Sequence, residues 1–423
     1  MKKRLTLSLS AVAAVATVTA LSACSSSSPS SASVASTSAS SATASSASSV
    51  SATSSASGLT GSPITVEVIT ELTSVDPAPE DVAGAQAAAA AVNASGGING
   101  HPLKIVSCDA GSGASVTQAV NCARGLVSSS ALAEVGDFEI DQDQVNTILA
   151  AAKVANIGPQ PNGQSVLSSP NSFPLAGSEG AGLAIPLADA GAKKIWVAYV
   201  NSPQAAAALP FSKAVLAMSR PDTSILGGIP IDITTTDLAP MVAKGSSGDG
   251  VALAVIPAEL ASWLSTAKEG NLTQKLAVSA SSLVPSELKA LGSNANGLLV
   301  DGGLPFVTGS SAGIVKYRAE MAQYAPGQAV DEISLNAWLG TWAFAQEART
   351  ISGGVTRASV LTAFSHLANF NVFGLLPTGF STSKAFAFPG MGRLFNQDIV
   401  EGVVKNGQIV QTSADYVPVF TKS

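Results

Sequence analysis

The sequence predicts an α/β protein of two lobes, each built on a parallel sheet and joined by a hinge. Three observations carry that reading. Strand-like and helix-like segments alternate from Pro63 onward; the alternation halts in a Pro/Gly/Ser-rich stretch and then restarts; and the patterned region, 63–420, is about 360 residues, roughly two domains' worth.

The first lobe opens with Ile64-Thr65-Val66-Glu67-Val68-Ile69, which alternates as a strand does, followed by an alanine-rich helix over 81–93. A strand over 103–106, a helix over 116–127 and a short strand over 132–136 complete a β-α-β-α-β order, and a helix runs on over 145–152. Strands separated by helices of ten or more residues need crossover connections, so the sheet should be parallel. After the stretch 158–177, Lys194-Ile195-Trp196-Val197-Ala198-Tyr199-Val200 is near-continuously apolar, as a parallel strand covered on both faces must be. Further strands are expected at 224–233, 251–256 and 276–279, with a return segment at 297–303. Helices near 314–324, 334–350 and 358–367 follow, and 403–410 reads as a hairpin turning at Asn406-Gly407. The expected division is lobe I over 63–176 and 304–371, and lobe II over 177–303 and 372–423. In open parallel sheets ligands bind outside the carboxyl ends of the strands, so two such lobes make a cleft that a hinge can close.

The chain has 22 basic and 28 acidic residues, and Lys2, Lys3 and Arg4 precede the folded region, leaving 19 against 28 or a charge of −9. With no basic stripe to displace counterions, nucleic acid is excluded as a partner.

Met1-Lys2-Lys3-Arg4 followed by the apolar run 5–20 is a charged n-region and an h-region too short to span a bilayer. Leu21-Ser22-Ala23-Cys24 resembles the lipobox of bacterial lipoproteins, which implies a leader over 1–23 and a mature N-terminus at Cys24 carrying a diacylglyceryl group. Two acyl chains hold a protein stably at a membrane, so the chain is expected on the extracytoplasmic face of the cell membrane. Residues 24–62 are nearly all Ser, Ala, Thr, Val and Gly, with no charged or aromatic side chain, and are read as a disordered tether. With Cys24 lipidated, Cys108 and Cys122 remain, in a compartment where a disulfide persists. A bridge is expected, contributing roughly 3 kcal/mol in the chain-entropy model; a metal pair is the alternative, and it lacks neighbouring histidines.

Four segments carry a wider resemblance. Val92-Asn93-Ala94-Ser95-Gly96-Gly97-Ile98-Asn99-Gly100-His101-Pro102-Leu103-Lys104-Ile105-Val106 is a helix end, a Gly-Gly turn and a second strand; Cys108-Asp109 pairs with Cys122-Ala123-Arg124; Thr235-Thr236-Asp237-Leu238-Ala239-Pro240-Met241-Val242 opens a later helix; and Gly392-Arg393-Leu394-Phe395-Asn396 lies near the end. In this order they resemble the leucine/isoleucine/valine-type solute-binding lipoproteins of ABC transporters. The resemblance implies a type I periplasmic-binding fold with two Rossmann-like lobes. It also implies a monomer that delivers a small polar solute, of amino-acid or amide type, to ABC permease subunits, with no cofactor.

The ligand anchors depart from that pattern. Relatives that hold an amino acid place a carboxylate-binding hydroxyl near Asp141, within Asp137-Phe138-Glu139-Ile140-Asp141-Gln142-Asp143, where acids would repel a carboxylate. Their second hydroxyl falls near Asn162-Gly163, and their ammonium-binding acid near Ser281-Ser282, where there is no acid. The residues expected to face the cleft are Glu71, Thr73, Asp137, Asp141, Gln142, Gln160, Asn162, Tyr199, Glu259 and Ser281, each near the carboxyl end of an expected strand; a solvated loop position or a helix N-cap is the plainer role for each.

A surface receptor that senses solute without transport would carry the same features. A serine hydrolase is the remote alternative: Gly309-Ser310-Ser311-Ala312-Gly313, Asp331 and His366 follow the α/β-hydrolase order, but without the strand-to-helix turn the nucleophile needs. His101 and His366 are the two histidines, too few for a catalytic metal centre, so no metal site and no enzyme is expected. Trp338 and Trp342 sit one helical turn apart, as a packing face or a sugar platform would.

Overall fold

The computed structural model describes residues 58–421 apart from 75–76, 112–115, 202 and 233. The leader, Cys24 and residues 24–57 of the tether lie outside the described residues. Among those described, no helix is long and apolar enough to cross a membrane.

In chain order the first lobe contains β1 (Ile64–Thr70), α1 (Pro79–Ala94), β2 (Leu103–Asp109), α2 (Thr117–Ser128), β3 (Ala133–Val135), α3 (Gln142–Ala151), β4 (Ala155–Ile157), α4 (Gln164–Ser168) and β5 (Ser172–Phe173). The strands form a parallel sheet in the order β2-β1-β3-β4-β5. Proline at the start of α1 and Glu80 and Asp81 in its first turn suit a helix N-terminus. At its end Gly96 and Gly97 take φ of +99° and +66°, a backbone that non-glycine residues rarely adopt. Strands β4 and β5, of three and two residues, fall at the edge of and within the stretch whose composition reads as a linker; runs so short carry no periodicity.

The second lobe contains α5 (Glu179–Gly182), α6 (Ile185–Asp189), β6 (Lys194–Val200), α7 (Pro203–Ser219), β7 (Ser224–Ile231), α8 (Ala239–Gly245), β8 (Gly250–Ala254), α9 (Pro257–Glu269), β9 (Lys275–Ser279), α10 (Pro285–Leu291) and β10 (Leu299–Gly302). The chain then returns to lobe I for α11 (Ala312–Tyr324), α12 (Glu332–Thr350) and α13 (Arg357–Ser365), and ends in lobe II with β11 (Asp398–Lys405), β12 (Gln408–Gln411) and β13 (Val417–Pro418). Strands β6 to β10 repeat the first lobe's order, β7-β6-β8-β9-β10, and antiparallel β11 and β12 extend the edge. Asn406 and Gly407 turn that hairpin at φ of +51° and +76°.

Helix α12 is buried on nearly every side and packs on α1. Its Trp338 and Trp342 are buried, and both indole N–H groups donate to the Glu320 carboxylate, at 2.7 and 2.9 Å, so they are packing residues and not a platform. Val372, Leu375, Leu376 and Phe380 join the same core, so the switch to lobe II comes after Phe380 and not at residue 372. Cys108 and Cys122 are bridged, tying the end of β2 to α2.

Three strands of chain cross between the lobes side by side. The Gly177 amide donates to Gly303 O (2.8 Å), and Asn396 Nδ2 donates to Leu175 O (3.2 Å) and Gly303 O (3.3 Å). A Cβ at Gly177 would lie 1.8 Å from Asp398 O, so the crossing closes only around glycine.

Candidate functional site

The order β2-β1-β3 reverses direction between β1 and β3, and at such a switch point the two following loops part and leave a crevice. Here the crevice is a cleft of about 630 Å³ lined by Glu71, residues 138–144, Gln160, Asn162 and Gly163. Its walls carry the carboxyl groups of Glu71, Glu139, Asp141 and Asp143 and no Lys, Arg or His.

The loop that supplies most of this wall is fastened to the end of β1. Phe138 O accepts from Thr70 Oγ1 (2.9 Å) and from the Glu71 amide (3.3 Å), while the Ile140 amide donates to Glu71 Oε1 (3.0 Å). Glu139 Oε2 accepts from the Asp141 amide (2.8 Å), and Asp143 Oδ1 from the Ser165 amide (2.6 Å). Asp137 sits at φ +93°, a strained backbone for a residue with a Cβ; its Oδ2 accepts from Asn156 Nδ2 (3.0 Å), and its carbonyl from Gln142 Nε2 (3.4 Å). Ile140 stands 74 % exposed on the rim.

Beneath the cleft the acids continue. Glu67 of β1 faces Glu134 of β3 in register, and Asp81 and Asp137 are wholly buried beside them. Neither Glu134 oxygen has a hydrogen-bond partner, nor has Asp81 Oδ2, Asp137 Oδ1 or Glu139 Oε1. Burial pushes Glu67 and Asp137 up to about 7. Burial, then the charge of Asp137, pushes Glu139 up to about 9 and holds Asp81 and Glu134 well above the ordinary carboxylate range. Asp141 is raised by burial alone. At about 9, Glu139 is neutral at pH 7, and the upward shift of the others favours the protonated form, which is how a floor without cations tolerates them.

Of the expected residues, the structure brings Glu71, Asp141, Gln142, Gln160 and Asn162 together in this cleft, with Asp137 directly behind. Asp141 stands at the N-cap position of α3 but makes no side-chain capping bond, so its carboxylate is open to the cleft. Thr73 turns away: its hydroxyl donates to Asp109 Oδ2 (2.8 Å). Tyr199 lies in lobe II, at the matching switch point between β6 and β8, in a smaller cavity of about 140 Å³ with Leu183, Val197, Ala252, Ala254 and Ser279. Glu259 is buried at the start of α9, where its carboxylate accepts weakly from the Ile256 amide (3.4 Å), and lines neither cavity.

Ser281 reveals what the sequence reading missed. Its hydroxyl donates to Glu179 Oε2 (2.6 Å), so an acid 102 residues away in sequence stands where none was expected. Glu139 was read only as part of an acidic run, and its place in the cleft wall follows from the bonds that fix the loop to β1. The hydrolase residues do not assemble: Ser311 accepts from the Ile314 amide as the cap of α11, Asp331 caps α12 through Ser334, and His366 closes α13. His101 is half-buried, with Nδ1 2.8 Å from Ser62 O. Among the described residues, no His/Cys/Asp/Glu group is arranged to hold a metal ion.

Comparison with curated proteins found no match. Among solved structures, the chain is similar to an extracellular ligand-binding receptor from Verminephrobacter eiseniae (17% identity, TM-score 0.70, covering 82% of this chain and 99% of that one). It is likewise similar to a fatty acid ABC transporter substrate-binding protein from Thermomonospora curvata (17%, 0.70, 86% and 97%). A third is an ABC transporter solute-binding protein from R. palustris in complex with 4-hydroxybenzoate (16%, 0.66, 85% and 98%). At this identity the likeness shows the fold, two parallel-sheet lobes of the type I periplasmic-binding kind. The family model described as periplasmic binding protein matches residues 63–388, and with that match across most of the folded region the chain belongs to the periplasmic binding protein family.

Proposed function

We propose that this is an extracytoplasmic solute-binding protein, anchored by lipid at Cys24, that captures a small neutral polar or cationic solute and delivers it as a monomer, without catalysis, to the permease of an ABC importer. One observation carries the ligand class: the lobe I switch-point cleft presents four carboxyl groups and no basic side chain. A carboxylate entering it meets like charge, whereas an ammonium, amide or hydroxyl group finds acceptors. Family membership supports the extracytoplasmic site and the solute-binding role. The neighbours' names refer to a fatty acid and to 4-hydroxybenzoate, both carboxylates at neutral pH, and the acid-lined wall here opposes ligands of that kind. On this reading the ligand is held by Glu71, Asp141, Gln142, Gln160 and Asn162 from lobe I, with Tyr199 and Ser281 approaching from lobe II on closure.

A thermal-shift screen of the mature protein against amines, amides, polyols and amino acids tests this. A solute at a hundredfold excess over its Kd adds about 2.7 kcal/mol of stability, a readable shift. The reading expects the largest shift from an amine, amide or polyol and its loss in Asp141→Ala. Branched-chain amino acids giving the largest shift, unchanged in Asp141→Ala, would overturn the ligand class; no shift from any solute would favour the surface-receptor reading. For the anchor, Cys24→Ala should abolish labelling by radioactive palmitate.

A further inference from the structure

The hinge carries a pair of acids that the cleft does not use. Glu179 starts α5 and Glu332 starts α12, so one belongs to lobe II and the other to lobe I, and each is only 8 % exposed. Their Oε1 atoms accept from one and the same donor, the Gly303 amide on the crossing segment, at 3.2 and 3.0 Å. The two carboxyl groups also hydrogen-bond each other. Ser281 of lobe II adds a further contact, donating to Glu179 Oε2 (2.6 Å). An ionised carboxylate has acceptors alone, so two carboxyl groups bond each other only when a proton lies between them.

We propose that this shared proton is a pH-sensitive clamp between the lobes, holding them in the arrangement seen here until it is lost. Two like charges in contact within a buried site repel strongly, so departure of the proton turns the bond into repulsion across the hinge. The surrounding groups do not relieve that charge. Asp301 on β10 is wholly buried, with Oδ1 accepting from Ser279 Oγ (3.0 Å); Asp331 precedes Glu332 and caps α12; Tyr416 offers a phenol; and Asp398 and Glu401 lie beyond. Arg220 is engaged by Asp189, its ion-pair partner, and by Glu401. Burial first, and then Glu179, raise Glu332 well above the ordinary carboxylate range, which favours the protonated pair. The proton belongs to the pair and not to either residue. The clamp is therefore complete in acid and is lost as pH rises through the value at which the pair releases its proton. It lies outside the cleft and needs no solute, so it can be tested whatever the cleft binds.

Nitroxide labels at Thr147→Cys on α3 and Ser262→Cys on α9, exposed positions in opposite lobes, report the lobe arrangement as a distance measured by pulsed electron spin resonance. The mature protein is used without added solute, with Cys24→Ser so that only the two introduced thiols react. One distance is expected at about pH 6, and a second, shifted population by about pH 9, the range in which buried glutamates ionise. Glu332→Gln puts an amide donor in place of the shared proton and should hold the low-pH distance at both values; Glu179→Gln should do the same from the lobe II side. Glu139→Gln in the cleft should leave the pH-driven shift in place. A distance that does not change with pH in the labelled parent overturns the clamp. So does a shift that persists in either hinge variant, or one that disappears in Glu139→Gln.

Discussion

The two lobes share one topology and differ in what they place at its switch point. In lobe I, the loops after β1 and β3 present Glu71, Glu139 and Asp141 over a floor of buried acids. In lobe II, the same point between β6 and β8 presents Tyr199, Ala252, Ala254 and Ser279. The fold fixes where a solute can sit, and the side chains at the strand ends decide its charge. Lobe I sets the electrostatic selection, and lobe II contributes an apolar wall with hydroxyls.

That contrast can be broken most strongly with pH. The acids of lobe I have folded-state values raised above those of the unfolded chain, Glu67 and Asp137 to about 7 and Glu139 to about 9. The folded form thus holds protons that the unfolded form has released, so their stabilisation is complete below about pH 4 and is lost as pH rises through the folded values. Urea unfolding should show lobe I weakening between about pH 5 and 9, and Glu139→Gln should flatten the trend. A stability that climbs over this window contradicts the account.

The disulfide distinguishes the lobes next. Replacing Cys108 and Cys122 together by Ala should cost roughly 3 kcal/mol. Hydrogen exchange should report the loss in β1, β2 and α2 and leave β6 to β10 protected.

Smaller effects sharpen the division of labour. Against whichever amine or amide the thermal-shift screen identifies, Asp141→Ala should cost about 1.5 to 3 kcal/mol of binding, the range for a charge-assisted hydrogen bond. Tyr199→Phe should cost about 0.5 to 1.5, the range for a neutral one. Calorimetry giving the reverse order would assign selection to lobe II.

Much of this was legible in the sequence, for particular reasons. Lys194–Val200 announces a buried parallel strand by its unbroken apolar run, and Asn406-Gly407 announces a hairpin because both residues tolerate positive φ. Asp141 and Gln142 could be placed at the cleft because they follow a strand end. The limits were equally physical. β4 and β5 are too short to show a period, and the late return to lobe II was hidden because Val372 to Phe380 is apolar without regular structure. Thr73 and Glu259 sit near strand ends but are drawn into other hydrogen bonds, and Glu179 meets Ser281 across 102 residues of sequence. Tertiary contacts of that kind leave no trace in spacing.

The most direct test of the central claim is native mass spectrometry of the protein purified from its own host, reading the mass of whatever solute stays bound. The account predicts an amide, polyol or amine that is lost from Asp141→Ala; a branched-chain amino acid or another carboxylate, retained in that variant, would contradict it.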